Sequence, residues 1–241
     1  MATSRWQRCH VPLAFKEGVE ISMIRICPSI LNANFDDLPG EIEKVAATAD
    51  LIHLDVMDNI FVPNFTFSPE RTREIIDFSS LPIDIHLMVA EVDKKVGQYC
   101  SNNAASITVH FEACEDPLQT LKGIRALGKR SGLAIKPNTP IEVVEELLHE
   151  IDMIVVMTVE PGFGGQSFMA SLMPKVEKAR RYLEQRNLDD VWLQIDGGIS
   201  LSTIEIARRA GADTFVAGSA VYKSDNPGNM VEQLRLLASN C

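Results

Sequence analysis

No run of about 18 apolar residues occurs in the chain, so no segment reads as a membrane-spanning helix. Cys-x-x-Cys is absent too. The five cysteines, Cys9, Cys27, Cys100, Cys114 and Cys241, are scattered and odd in number. That fits reduced thiols in a cytoplasmic protein better than a disulfide framework or a thiolate metal site. Excess positive charge is also missing: 23 basic against 33 acidic residues leave a net charge of −10. A broad basic surface for nucleic acid or anionic membrane is therefore excluded, and any bound phosphate must be held locally. Low-complexity tracts are lacking, and an apolar content of 46% rules out a chain disordered by composition. Residues 1–22 carry Arg5, Arg8 and Lys16 with no apolar stretch of ~7–15 residues behind them, so they do not read as a secretory signal. The expectation is a disordered N-terminal extension over 1–22 and a single domain over 23–241.

What is present, from Ile24 onward, is an alternation of short β-branched apolar runs with amphipathic stretches. Strands are predicted at Ile24–Cys27, Leu51–Val56, Ile83–Met88, Ser106–His110, Leu133–Lys136, Met153–Thr158, Val191–Ile195 and Thr214–Ala217. Between them, Leu38, Ile42, Val45 and Ala46 share one helical face, as do Leu172, Val176, Ala179 and Leu183. Ser68-Pro69, Asp116-Pro117 and Thr139-Pro140 read as helix starts, and Thr139…Glu142 and Ser202…Glu205 as capping boxes. A last amphipathic stretch follows Pro227. Eight strands separated by helices, without an internal linker, predict an α/β fold of the (β/α)₈ TIM-barrel type. A doubly wound open sheet would place a glycine-rich turn after the first strand, where this chain reads Pro28-Ser29-Ile30-Leu31. The glycine-rich turns come after strands six, seven and eight, where a barrel keeps its phosphate site. That favours the barrel.

Strand periodicity puts His53, Asp55 and Met57 on one face, with Leu54 and Val56 packed outward. His86 and Met88 repeat the arrangement on strand three, and Asp196 ends strand seven. Two histidines and two carboxylates converging at strand ends form a candidate four-ligand site for a divalent ion, since buried acids need partners or a metal. Val159-Glu160-Pro161-Gly162-Phe163-Gly164-Gly165-Gln166, Asp196-Gly197-Gly198 and Gly218-Ser219 supply three turns whose bare N–H groups can cradle phosphate oxygens. A bulky side chain at Gly198 is expected to weaken that grip more than it disturbs folding. His110 and Lys136 also end strands, with no role beyond a hydrogen bond or a solvated charge; His10 and His149 read as surface residues.

The segments CPSIL, HLDVMDNIFVPN, DIHLMV, MTVEPGFGGQSF, QIDGGI and VAGSAVY, in this order, resemble those of the ribulose-phosphate 3-epimerase family. The resemblance implies a phosphate-binding barrel that interconverts D-ribulose 5-phosphate and D-xylulose 5-phosphate in the pentose phosphate pathway. It implies that His53, Asp55, His86 and Asp196 hold a metal, and that Asp55 and Asp196 also serve as acid and base. Ser29 matches a substrate-contacting serine; His86 and Asp196 adjoin the same sugar. Gly162, Phe163, Gly164, Gly165, Gly197, Gly198, Gly218 and Ser219 match the phosphate-binding turns. The family usually reads Gly-His where this chain has Asn59-Ile60. Asparagine tolerates the left-handed conformation, so the turn is expected to survive.

Asp55 and Asp196 are expected to face each other across the mouth, on either side of a planar enediolate. A divalent ion between them (zinc, ferrous iron, manganese or cobalt) would stabilise the developing charge. Met57, Met88 and Met157 are expected to form an apolar cover that excludes water. The alternatives are epimerisation of a six-carbon ketose phosphate such as D-allulose 6-phosphate, a non-catalytic sugar-phosphate-binding barrel and a metal-dependent hydrolase. The partner is a small sugar phosphate, without nucleic acid or membrane, and the family resemblance implies a homo-oligomer.

Overall fold

The computed structural model describes residues 24–241, so the predicted extension, with Cys9 and His10, lies outside the described residues. Its strands are β1 (Arg25–Pro28), β2 (Ile52–Met57), β3 (Ile83–Met88), β4 (Ala104–His110), β5 (Arg130–Ile135), β6 (Met153–Met157), β7 (Trp192–Asp196) and β8 (Thr214–Ala217). All pair in parallel, in the ring order β1-β8-β7-β6-β5-β4-β3-β2. The seam between β1 and β2 is drawn together by a parallel bridge between Ser29 and His53. The fold is the expected TIM barrel, nearly closed.

Around it lie α1 (Leu38–Glu43), α2 (Pro69–Phe78), α3 (Pro117–Ala126), α4 (Met173–Gln185), α5 (Ile204–Arg209), α6 (Ser219–Tyr222) and α7 (Pro227–Ser239). One continuous apolar shell sits between strands and helices. Leu54, Val56, Ile85, Leu87 and Phe215 from the strands meet Ile42, Ile75, Leu121, Val176 and Leu234 there. Each such side chain contributes about 1.5–3 kcal/mol on burial, so the shell is the main stabilising layer.

Ser68 and Asp116 cap α2 and α3 as predicted, accepting from Arg71 N at 3.2 Å and Gln119 N at 3.1 Å. The other two predicted caps do not form. Thr139 donates its hydroxyl to Glu112 instead, and the segment Ile141–Glu150 is a 3₁₀ helix. Its buried residues are Ile141, Val144 and Leu148, which turn one face of the segment to the core. Near α5, Ser202 bonds Ser200, while Thr203 Oγ1 accepts from Ser200 N at 2.9 Å. The link from β3 to β4 carries two short 3₁₀ turns, Val92–Lys94 and Val96–Tyr99.

At the N-terminal end of the strands, the guanidinium groups of Arg25 and Arg130 lie over the Trp192 ring, 4.0 and 3.9 Å from its centroid. Arg180 pairs with buried Asp213 at 2.7 Å, and Arg235 with Asp50 at 2.8 Å. The opposite end carries the candidate site.

Candidate active site

The inward-facing residues of β2, β3 and β4 are largely polar, and several polar groups meet on Asp84. Its carboxylate accepts from Ser106 Oγ at 2.5 Å and Gln194 Nε2 at 2.9 Å, and lies 2.7 Å from His53 Nδ1. Burial opposes its charge, but His53, Ser106 and Gln194 outweigh burial and keep the pKa below the ordinary value. Partners from β2, β4 and β7 thus meet on one acid, which fixes the His53 ring from behind.

The other side of His53 faces Asp55 and Asp196. His53 Nε2 stands 3.4 Å from Asp55 Oδ1 and 3.7 Å from Asp196 Oδ2. His86 Nδ1 stands 3.4 Å and 3.1 Å from the same two oxygens. These approaches are close yet poorly aligned, since both imidazole nitrogens lack a hydrogen-bond partner. Two orphaned nitrogens beside two buried carboxylates ask for a cation. One donor atom from each of the four residues lies within 4.8 Å of the others. Donors ~2.0–2.2 Å from a tetrahedral ion stand roughly 3.3–3.6 Å apart, so the separations suit a divalent metal. The residues fit the ion that the sequence suggests.

Burial disfavours a charged His53, yet Asp55 and Asp84 outweigh it and hold its pKa well above the usual imidazole value. Asp55 is driven the opposite way: against burial, His53 and His86 keep its carboxyl far below the usual range. Asp55 is further fixed by Ser29 Oγ, which donates to its Oδ2 at 2.6 Å. Thr66 straps the same strand end, donating to Asp55 O at 2.7 Å and accepting from Met57 N at 2.9 Å.

Above this cluster opens a cleft lined by Ser29, Asp55, Met57, Met88, Met157, Gly162, Phe163, Gly164, Gly165, Asp196, Gly197, Gly198, Gly218 and Ser219. His53 and His86, fully buried, lie outside that lining. Met57 and Met88 face each other across β2 and β3, and Met157 is level with Asp196. An adjoining cleft shares Gly165, Gln166, Gly198, Ile199 and Ser219 and adds Ser167, Ser200, Thr203 and Lys223. Lys223 is the cation among those lining residues.

Gly198 departs from expectation. Its φ is +70°, and a Cβ there would stand 2.6 Å from the backbone nitrogen of Phe168. A side chain at this position therefore strains the turn itself, whatever it does to an anion. Asn59 does occupy the left-handed region, with φ 58°. Its turn is held by Asp58, which accepts from Ile60 N and Phe61 N at 2.9 Å each, and from Ala90 N at 2.9 Å. Asn64 then donates to Gly162 O at 2.9 Å, joining the loops after β2 and β6.

Sequence reasoning missed Asp84, Ser106, Gln194, Asp58, Asn64 and Thr66. For Asp84 the signal existed: it shares the inward face with His86 and Met88. His110, which the sequence left without a role, is buried with its Nε2 3.0 Å from His86 Nε2 and its Nδ1 3.2 Å from Glu112 Oε2. Burial lowers its pKa to about 4, against the pull of Glu112. Lys136 places its ammonium 4.0 Å from the Phe61 ring centroid, and His149 is exposed.

The fold and site define a TIM barrel with a metal-capable His/Asp cluster beneath a glycine-edged cleft. Other solved proteins share the first feature: a KGPDC from Streptococcus mutans, solved in complex with D-R5P, matches 90% of this chain and 98% of its own at TM-score 0.67 and 12% identity. At that identity it shows the fold alone. The ribulose-phosphate 3 epimerase family model matches residues 25–222. Ribulose-phosphate 3-epimerase of Bacillus subtilis is 37% identical over 214 residues, covering 88% of this chain and 99% of that protein. Ribulose-phosphate 3-epimerase 1 of Cupriavidus necator is 43% identical over 204 residues, covering 83% and 84%. The chain belongs to the ribulose-phosphate 3-epimerase family.

Proposed function

We propose that the protein epimerises D-ribulose 5-phosphate and D-xylulose 5-phosphate at C3, as an isomerase of the pentose phosphate pathway. The observation that carries this reading is the placement of Asp55 and Asp196. They come from β2 and β7, separated around the ring by β1 and β8, and flank the same two imidazole nitrogens. Inverting C3 needs a base on one face of the sugar and an acid on the other. Asp55, kept ionised by His53 and His86 and oriented by Ser29, takes the C3 proton from one epimer. Asp196 returns a proton to the opposite face, and the roles exchange in the reverse direction.

His53, Asp55, His86 and Asp196 would hold the divalent ion, whose Lewis acidity offsets charge developing on the substrate oxygens. Zinc, ferrous iron, manganese and cobalt all suit two imidazoles with two carboxylates. The glycine turns and Ser219 present backbone N–H groups to the phosphate, and Lys223 supplies a nearby positive charge. Met57, Met88 and Met157 exclude water around C3, which keeps the exchanging proton from leaking. No observation favours the six-carbon substrate, the non-catalytic barrel or the hydrolase.

The reading also makes the chain a homo-oligomer, as the family resemblance implies, and puts it in the cytoplasm on its scattered thiols. Cys27, Cys100, Cys114 and Cys241 are free thiols, and among the described residues no helix is long and apolar enough to cross a membrane. A coupled assay of metal-loaded protein with five- and six-carbon ketose phosphates tests the proposal. Turnover of the pentose phosphates that chelation abolishes and a single divalent ion restores supports it. Preference for a six-carbon ketose phosphate, or full activity without metal, refutes it.

A further inference from the structure

The two histidines of the cluster are backed differently. His53 leans on a carboxylate, Asp84, whereas His86 leans on a second imidazole, His110. Hydrogen counting fixes the direction of that second contact. Glu112 accepts two further hydrogen bonds, from Lys136 N at 2.8 Å and from the Thr139 hydroxyl. An ionised carboxylate only accepts, so His110 must present its N–H at Nδ1, toward Glu112. A neutral imidazole has one N–H, and His110 Nε2 is thereby left as an acceptor. The one hydrogen available for the 3.0 Å contact then belongs to His86 Nε2. With its hydrogen there, a neutral His86, the form that ligates a metal, has its lone pair at Nδ1, the nitrogen between Asp55 and Asp196 that has no partner. The Phe61 ring packs against His110 with its centroid 4.9 Å away.

We propose that His110, itself oriented by Glu112, is a positioning residue for cation binding: it accepts the Nε2–H of His86 and so keeps His86 Nδ1 free to ligate. This rests on the reading that the four-residue cluster holds a metal. Partners behind a metal-ligating histidine set its tautomer and ring angle, and losing one typically weakens metal binding about 10–100-fold. Backing by a neutral imidazole also leaves His86 a weaker donor than His53, so the two nitrogens are not equivalent toward the ion.

The test is zinc affinity, measured by competition with a chromophoric chelator on the full chain. His110→Phe keeps the ring packing but removes the acceptor, and should weaken zinc binding about 10–100-fold. His110→Gln, whose side-chain oxygen can occupy the Nε2 position, should recover most of that loss. A purely structural role would lower the thermal midpoint of both metal-free variants and leave zinc affinity unchanged. Should His110→Phe fail to fold, Glu112→Ala frees the His110 tautomer from the rim and should still weaken zinc binding severalfold. Ring nitrogen NMR of the zinc-loaded wild type should show a protonated Nδ1 and a bare Nε2 at His110. The opposite tautomer, or unaltered affinity in His110→Phe while the wild type binds zinc, overturns this inference alone. A wild type that binds no divalent ion overturns the metal reading and this inference together.

Discussion

Ser29 Oγ donates to Asp55 Oδ2 across the seam where β1 meets β2, at 2.6 Å. The residue whose backbone bridges the seam at His53 thus also orients the proposed base. Hydrogen bonds to charged groups contribute about 1.5–3 kcal/mol. Ser29→Ala should lower kcat/KM roughly 10–100-fold, with metal content unchanged. Steady-state kinetics beside metal analysis check this, and wild-type kcat/KM would remove Ser29 from the reaction.

If Asp55 and Asp196 serve opposite faces of the sugar, Asp196→Asn should lose epimerisation by at least ~10²–10⁴. In deuterated water one epimer should still exchange its C3 hydrogen without conversion, while the other does neither. Proton NMR of each pure epimer reads both events. Equal residual exchange from the two epimers, with metal still bound, would contradict the assignment of one carboxylate to each face.

The glycine turns separate grip from fold. Gly218 has a negative φ of −95°, and a Cβ there meets Asn32 Oδ1, a side-chain end, at 2.6 Å. Gly218→Ala should therefore raise KM about tenfold or more while the thermal midpoint barely moves. Gly198→Ala must adopt a left-handed conformation and push on the Phe168 backbone, a strain of about 1–3 kcal/mol before the contact is counted. It should lower the thermal midpoint by several degrees. A Gly198→Ala protein as stable as the wild type would contradict the close approach of this turn to Phe168.

Acid should find Glu112. Burial raises its pKa, but His110, Thr139 and Lys136 N outweigh it and carry the value from 4.5 down to about 2. A folded-state value below the unfolded one means that the ionised form stabilises the fold. That contribution is complete above the unfolded pKa and fades as pH falls through about 2. Urea midpoints of wild type and Glu112→Gln should differ most above pH ~5 and converge toward pH ~2. A gap that widens on acidification would reverse the sign.

Much of the site was legible because β2 and β3 alternate cleanly. His53-x-Asp55-x-Met57 and His86-x-Met88 announce an inward polar face between outward Leu and Val. Asp84 sits on that same face, but its worth depends on Ser106, its register partner on β4, and on Gln194, which reaches it from β7 only through closure of the barrel. Distance along the chain carries no trace of that meeting. His110 had no visible partner because Glu112 lies in the turn beyond its strand. The caps failed for local reasons: Thr139 gives its hydroxyl to Glu112, and the N-cap position of α5 falls on Thr203, whose side chain bonds Ser200 and not the first turn. Gly198 read only as an anion contact, and the sequence could not show that Phe168 backbone also crowds that turn.

The Arg25–Trp192–Arg130 contact lies at the far end of the strands from Asp55 and Asp196. A change there acts on the persistence of the folded chain, and a change at the mouth on turnover. A lineage could thus retune its heat tolerance by altering those guanidinium contacts while leaving its chemistry untouched. Residues along the middle of the strands have no such freedom, because Asp84 there serves the barrel interior and His53 at once.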